Sequence, residues 1–581
     1  LGDKSVFQGQ FKSSGLPKVW NTLFDIEMTD AHLNPDDLES VYLPWFNMNI
    51  PVPSPLHQLE YVDFSRIHFN GSLEDFTVTA QSNTPALTGD LKFIYKPCEG
   101  DTVDCSRMYG DFNFNRVNYG RFTGIDLLGT GGLAGTYSGK LDTAGTSFNV
   151  KSKLNKLNVQ KGQLRDIDLF LSWEGDKVDL LSSFDNENAR GNVVMSMDTD
   201  DSLRFWSVRG GIDVADLEQF GFSITEAEKE GFSTSFDLVS AGNRDRSFSN
   251  LSLSDFNYRT SADSFNIEDI GIEVFREGEL NTVNLNSEVL DLALEGTYQD
   301  VRPLDFALNL VHNYLPAYAD KKKQRKAIQN ELKKVDLHGN ANIKDANRIL
   351  KVMFPDLSVS PGSKLFVDFR NGDEFLDVRL NADTILYQDF CLLHSGIRVT
   401  GNEERLQVLY SADRVRYADL YELYNVRNEL GVHNNHVDNK ISWCNWGRHT
   451  YSGELKTGLT FIPAGKNGYH LEIGMEPGVI VLADSVWHVR KSKILIEGKQ
   501  IAVENFSIGR DQRFLSVNGK ISENPEEKLS IDLNQFDLSE LNRMIFNNRF
   551  YLFGLATGNL TVQDYYNDRL LASDFDVKDW G

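Results

Sequence analysis

Leu290, Leu292, Leu294, Gly296 and Tyr298 occupy every second position, with acidic, small or polar residues between them. After a short break Leu304, Phe306, Leu308 and Leu310 do the same. A β-strand turns successive side chains to opposite faces, so this period predicts ribbons with one apolar face. The pattern recurs at Leu515, Val517, Gly519 and Ile521 followed by Leu529, Ile531 and Leu533, and at Ile397, Val399 and Gly401 followed by Leu406 and Val408. Each unit is a strand, a polar or glycine turn, and a returning strand. Connections such as SENPEEK and YQDVRP carry the punctuation of turns between antiparallel neighbours.

Some of these pairs are followed by two apolar residues three apart: Val214 and Leu217, Tyr417 and Leu420, Leu538 and Leu541. That spacing places both on one side of a single helical turn, which suits a short turn tucked over the apolar face. The copies are unevenly spaced, which argues against a tight parallel β-helix and for one long sheet with variable loops. One helix is predicted, over 319–336, with Ile328 and Leu332 on one face, Asp320 as N-cap, and a basic run from Lys321 to Lys326 that reads as a solvated face, with a site for lipid phosphates as the alternative.

A sheet with one apolar face must cover it with a second sheet, with helices, or by curling round itself. Helices are scarce and no linker-like stretch divides the chain, so the expected fold class is mainly β: an elongated curled sheet, an open groove with a hydrophobic interior. It is expected to be continuous over 1–581, with possible sub-segments 1–150, 151–335 and 336–581. An open apolar trough needs an apolar guest. Acyl chains meet that need at roughly 0.8 kcal/mol for each CH₂ removed from water.

Several function classes are disfavoured. Lys and Arg number 59 against 84 Asp and Glu, a net charge of -25, so a nucleic acid would be repelled over most of the surface. The longest apolar runs, such as Gly478–Ala483, are far short of a membrane span. Gly129, Gly131 and Ala134 have dinucleotide-site spacing but run into β-type sequence where such a site needs a helix N-terminus. The stretch Gly135–Lys140 falls one residue short of a phosphate-binding loop and lacks its hydroxyl. His433, His436, Cys444 and His449 match no closed metal-site spacing, and their Asn-rich surroundings predict a long exposed loop. No metal, no cofactor and no catalytic grouping is therefore assigned. A carbohydrate-binding β-protein is a weaker possibility, resting on Trp443 and Trp446. Among the four cysteines, Cys98 and Cys105 flank the loop EGDTVD between two strand-like runs and suit a disulfide, with free thiols as the alternative. Nothing local supports pairing Cys391 with Cys444.

The segment from Leu495 to Ile545, with its continuation FYLFGLATGNLTVQDYYNDRLLASDFDVKDW, resembles the repeated core of the translocation/assembly module TamB family, AsmA-like proteins of the Gram-negative envelope. GLPKVWNTLFDIEM, DFTVTAQSNTPALTGDLKF and YGDFNFNRVNYGRF are similar to it as well. The likeness covers most of the chain through short apolar elements in a recurring order.

The resemblance implies a long β-taco and, with about 40 strands stacked at roughly 4.8 Å, a trough on the order of 200 Å at most. It implies a periplasmic location, a parent anchored in the inner membrane by an N-terminal helix and reaching an outer-membrane barrel-assembly protein through a C-terminal domain, both expected to lie outside this piece. The implied function is a bridge that carries phospholipid acyl chains between the membranes. The alternative is an assembly scaffold that helps insert outer-membrane β-barrel proteins or autotransporters. Neither is an enzyme. The groove candidates are Leu292, Leu294, Phe306, Leu308, Leu310, Leu515, Val517, Leu529, Ile531 and Leu533; ordinary core packing is the competing role for each, and a register error of one residue would invert the set.

Overall fold

The structure is a computed structural model that describes residues 4–17, 21–40, 42–43, 48–49, 61–84, 86–98, 105–123, 125–142, 145–198, 204–224, 229–243, 245–297, 314–317, 336–370, 375–402, 404–418, 421–446, 450–464, 468–482, 484–538, 553–567 and 570–578. Among the described residues strand accounts for 77% and helix for 5%, which makes the protein mainly β. Among the described residues thirty-five strands pair antiparallel into curled sheet that is not closed into a barrel. Tyr42–Leu43 and Met48–Asn49 form a separate two-stranded ribbon. The chain divides into two compact units, Leu1–Gly278 and Glu279–Gly581.

The first unit is a meander. Val6–Ser14 pairs with Leu23–Leu33, which pairs with Val62–Gly71, and from there each strand pairs antiparallel with the next in the chain as far as Ser264–Glu277. Short hairpin connections suffice for such an order, which is why the sequence carries turn signals at nearly every rung.

Except that Asp336–Ile343 pairs with Ser363–Arg370 and the short strand Leu357–Val359 between them pairs with Phe375–Tyr387, the second unit follows the same rule up to Thr450–Ala464. There the ladder divides: one half of that strand pairs with Gly468–Met475 and the other with Gly478–Leu482. These pair in turn with Ser492–Glu497 and Ser485–Val489, and both branches rejoin on Gln500–Arg510. Pro477 sits at the break between the two half-strands, where it removes a ladder donor and fixes φ.

Bends are built into the strands. Asp166, Asp255, His394, Asn425, Asn505 and Gln535 adopt positive φ, between 45 and 57°, in the middle of strands and at places where the ladder skips residues. Such an irregularity kinks and twists a strand. The residue directly after the bend is repeatedly buried, as at Ile167, Ser395, Val426 and Phe536, so the deepest part of the apolar face lies at the crease.

Curling also shows in side-chain contacts. Trp487 and Phe536 lie three ladder steps apart, a flat-sheet separation of roughly 14 Å, yet their ring centroids are 5.8 Å apart. The strand Ser485–Val489 and the strand Lys528–Asp537 therefore lean toward each other over the apolar face. The helix expected over 319–336 lies outside the described residues except for Asp336, which begins a strand.

Candidate functional site

Residues directly opposite on paired strands share a face, so the ladders trace each face across its unit. In the first unit one cross-strand line runs Phe11, Ile26, Phe69, Val78, Phe93, Gly110, Tyr137 and Val150, then Leu171, Leu180, Met195, Val208, Leu238, Leu251 and Ile272. Every member is apolar, aromatic or glycine. In the second unit a comparable line runs Gly296, Leu337, Phe369, Leu376, Gly401, Leu406, Val432 and Val437, then Leu459, Ile473, Ile494, Val503, Gly519, Leu529, Val562 and Leu571.

The first line is not the inside of a packed sandwich. From Ile26 to Ile272 the first line is half-buried at each side chain except Tyr137, which is buried. A core residue of an ordinary domain is enclosed on all sides; here the apolar face keeps accessible surface along its length.

Glycine and bulk are paired across strands. Tyr137 is opposite Gly110, Phe112 opposite Gly135, Phe148 opposite Gly139 and Trp443 opposite Gly453. A Cβ built on Gly110 would lie 2.7 Å from Tyr137 Oη, one on Gly135 2.8 Å from Phe112 Cζ, and one on Gly139 2.9 Å from Phe148 Cδ2. The large side chains thus lie down over the neighbouring glycine instead of standing up from the sheet, and the space above the face stays open. Tyr137 donates its hydroxyl to the Lys92 carbonyl at 2.9 Å, and burial, aided by Asp111, pushes its pKa up to about 12.

The first unit also holds an open apolar pocket of about 490 Å³. Its walls include Leu164, Phe184, Ile212, Phe232, Phe256 and Tyr258, and one end is closed by Leu217, Phe220, Phe222 and Ile224. The helical turn expected over Val214–Leu217 falls later: Val214 ends the strand Arg204–Val214, and a 3-10 helix, Glu218–Phe220, follows Leu217 and is ended by Gly221 in the left-handed region. Buried Glu230 fastens it: its carbonyl accepts from the Leu217 N–H and its carboxylate from the Ile224 N–H, both at 2.6 Å. Gly162 leaves room for the Phe220 ring, 2.5 Å from where a Cβ would stand.

Scanned against protein-family models, curated proteins and solved structures, the chain matches none.

The described groove candidates fall on one face of the second unit. Leu515 is opposite Leu533, Val517 opposite Ile531, and Gly519 opposite Leu529; Leu292 and Leu294 are opposite Ala341 and Gly339 on the same face. They differ in what they touch. Leu533 is buried and Leu515 packs with it in a cluster built on Ile480, Trp487, Phe536 and Ala556, so these two hold the crease together. Leu292, Leu294, Val517, Leu529 and Ile531 are half-buried. Phe306, Leu308 and Leu310 lie outside the described residues, as do Leu420 and Leu541 of the expected turns.

Cys98 and Cys105 are joined by a disulfide with Cα atoms 5.4 Å apart, and the Cys98 N–H donates to the Cys105 carbonyl at 3.0 Å. Cys391 and Cys444 are free. The segment read as a long loop around His433 is a hairpin of Tyr421–His433 and His436–Trp446. Its turn is Asn434–Asn435, both at positive φ, the geometry of a tight two-residue turn that asparagine tolerates. His449 lies outside the described residues, and among the described residues no group of three or more His, Cys, Asp or Glu is placed to hold a metal ion. Trp443 packs against the crease cluster and so presents no platform for a sugar.

Two features of the second unit carry no signal in the sequence. The apolar face is crossed by a polar seam, Tyr410 opposite Asn428 and Asn439 opposite Thr457, in which Asn439 Nδ2 donates to Thr457 Oγ1 at 3.0 Å. In addition, Tyr314 is buried at the rim of this face. Its hydroxyl donates to the Asn402 carbonyl at 2.5 Å, its own carbonyl accepts from Asn435, and it shares the space over Gly401 with Leu376 and Leu406.

Proposed function

We propose that the protein is a non-enzymatic carrier of phospholipid acyl chains, which lie along the apolar face while headgroups remain in solvent. The observation that supports this reading most is the unbroken apolar line from Ile26 to Ile272, half-buried across successive strands. Among the described residues no layer covers this face, and a face of that extent needs an apolar occupant; acyl chains contribute roughly 0.8 kcal/mol per CH₂ without requiring polar recognition. The glycine–aromatic pairs fit a role in which space above the face must be kept clear. On this reading, and following the resemblance to TamB-type proteins, the chain is part of a periplasm-spanning bridge between inner and outer membranes, with an outer-membrane barrel-assembly protein as partner.

A second reading, an assembly scaffold that offers strand edges to client β-strands, draws on Leu570–Lys578. This strand pairs with Leu555–Gln563 and exposes Leu570 at 53% and Leu571 at 69%, apolar side chains on which an extended client would pack while main-chain hydrogen bonding adds it to the sheet.

Native mass spectrometry with lipid extraction separates the two. Phospholipid retained by the purified protein, and lost when Leu171→Asp and Ile531→Asp are combined in a chain that keeps its β-type circular dichroism, is the result expected of a carrier. A folded, lipid-free protein that takes up no added phospholipid would overturn that reading and leave the scaffold.

A further inference from the structure

We propose that the polar face of the second unit carries an oxyanion site, for phosphate or a phosphate ester, formed by Arg379, Arg398 and Arg427. Arg379 and Arg398 are directly opposite on neighbouring strands, an arrangement of like charges that destabilises a sheet unless something bridges it. Asp377 is the bridge. Its side chain is 5% exposed, and its carboxylate accepts from Arg398 Nε and Nη2 at 3.2 and 3.0 Å and from Arg379 Nε at 3.1 Å. The Arg379 guanidinium is further fixed over the Phe366 ring, 5.2 Å from its centroid. One carboxylate therefore orients two guanidiniums and cancels one of their two charges, while each fork of five donors retains N–H groups for an outside acceptor.

Beside this pair is a depression of about 380 Å³. Asn381, Gly396, Ser411 and Arg427 form one cross-strand line through it. Gly396 supplies an open floor: a Cβ there would stand 3.3 Å from both Asn381 Oδ1 and Ser411 Oγ. Ser411 offers a hydroxyl donor there and Asn381 turns its carbonyl oxygen, an acceptor for a protonated phosphate or an ester hydroxyl, to the floor, and Arg427 adds a third guanidinium that takes no part in the Asp377 bridge. Glu429 is the one further charged group lining the depression, and it lies opposite Lys440. Three guanidiniums face Asp377, Glu429 and Asp368, which lies opposite Asp377 and acts on Arg379; Asp368 is itself ion-paired with Arg370, so this patch is not acidic although the chain carries a net charge of -25. Planar forks held in place before a ligand arrives, over a glycine floor with the Ser411 hydroxyl beside them, are the chemistry that recognises a tetrahedral oxyanion. The depression has room for an ester substituent as well. This site is on the face opposite to the acyl-chain surface, so it stands or falls separately from the carrier reading.

Isothermal titration of the whole 581-residue chain with inorganic phosphate at constant ionic strength tests it. Saturable binding is expected, weakened at least about ten-fold in Arg427→Gln and largely kept in Ser411→Thr, with circular dichroism and melting temperature unchanged by either. No saturable binding, or equal binding by wild type and Arg427→Gln, overturns the proposal. Flotation with vesicles of phosphatidylcholine alone or with added phosphatidic acid then names the source. Retention by phosphatidic acid that falls in Arg427→Gln assigns a lipid headgroup; binding of free phosphate without vesicle retention assigns a soluble phosphate ester.

Discussion

The indole of Trp443 lies across Gly453 on the neighbouring strand. A Cβ on Gly453 would stand 2.5 Å from Cζ2 and 2.6 Å from Cη2, with Ile480 Cγ2 next at 2.8 Å. All three neighbours are side chains, so a methyl group there would lift the indole off the sheet without striking backbone. Gly453→Ala is expected to lower stability by about 1–3 kcal/mol through overpacking, and by much less in a Trp443→Ala background. Urea midpoints of the four-member double-mutant cycle measure the coupling; additive losses would mean that the pair is not in contact.

Phe220 closes the apolar pocket of the first unit at one end and is buried at 6%. Phe220→Ala removes the ring and enlarges the pocket, at an expected cost of about 3–5 kcal/mol. The urea midpoint should fall accordingly, and bound fluorescence of an apolar dye should rise. A loss under about 1 kcal/mol would mean that the 3-10 turn does not pack as described.

Hydrogen bonding from Arg379, and then from Arg398, holds the Asp377 carboxyl below the usual carboxylate range in spite of its burial. A carboxylate whose folded value is depressed contributes stability that is present above its unfolded pKa, about 3.9, and is lost as pH falls through the folded value. Stability should therefore drop on acidification below about pH 4, and Asp377→Asn should flatten that drop while costing about 1.5–3 kcal/mol at neutral pH. Thermal melts across the acid range check the slope; an unchanged slope in the variant would remove Asp377 as its source.

Asn428 interrupts the apolar face with a buried Oδ1 that has no hydrogen-bond partner, between Tyr410 on one neighbouring strand and Ile441 on the other. Asn428→Leu is expected to raise stability by about 1 kcal/mol, because an unsatisfied acceptor is replaced by apolar volume. A fall in the denaturation midpoint would mean that the amide has a partner in solution.

Legibility of the site followed the physics of each signal. The period-two runs at Leu290–Gly296 and Leu515–Leu533 were readable because alternation is a property of the strand itself. The hairpin at Tyr421–His433 and His436–Trp446 was not, since Asn428, Asn439 and the histidines dilute its apolar alternation and Asn434–Asn435 looks like a loop until its φ angles are known. The Arg379, Arg398 and Arg427 grouping had no sequence signal at all, because the three residues meet only through strand pairing.

The sequence by itself determined the class of structure: alternating apolar residues and closely spaced turns dictate antiparallel strands with one apolar face, and helix-poor composition dictates that the sheet must cover itself. Which residues share that face was decided by tertiary structure. Val503 and Phe506 lie on one side although they are three residues apart, because the irregularity at Asn505 reverses the alternation; Leu533 and Phe536 do so across Gln535. Side-chain direction in a strand is local, but the bend that reverses it exists only where two strands must stay paired around a crease.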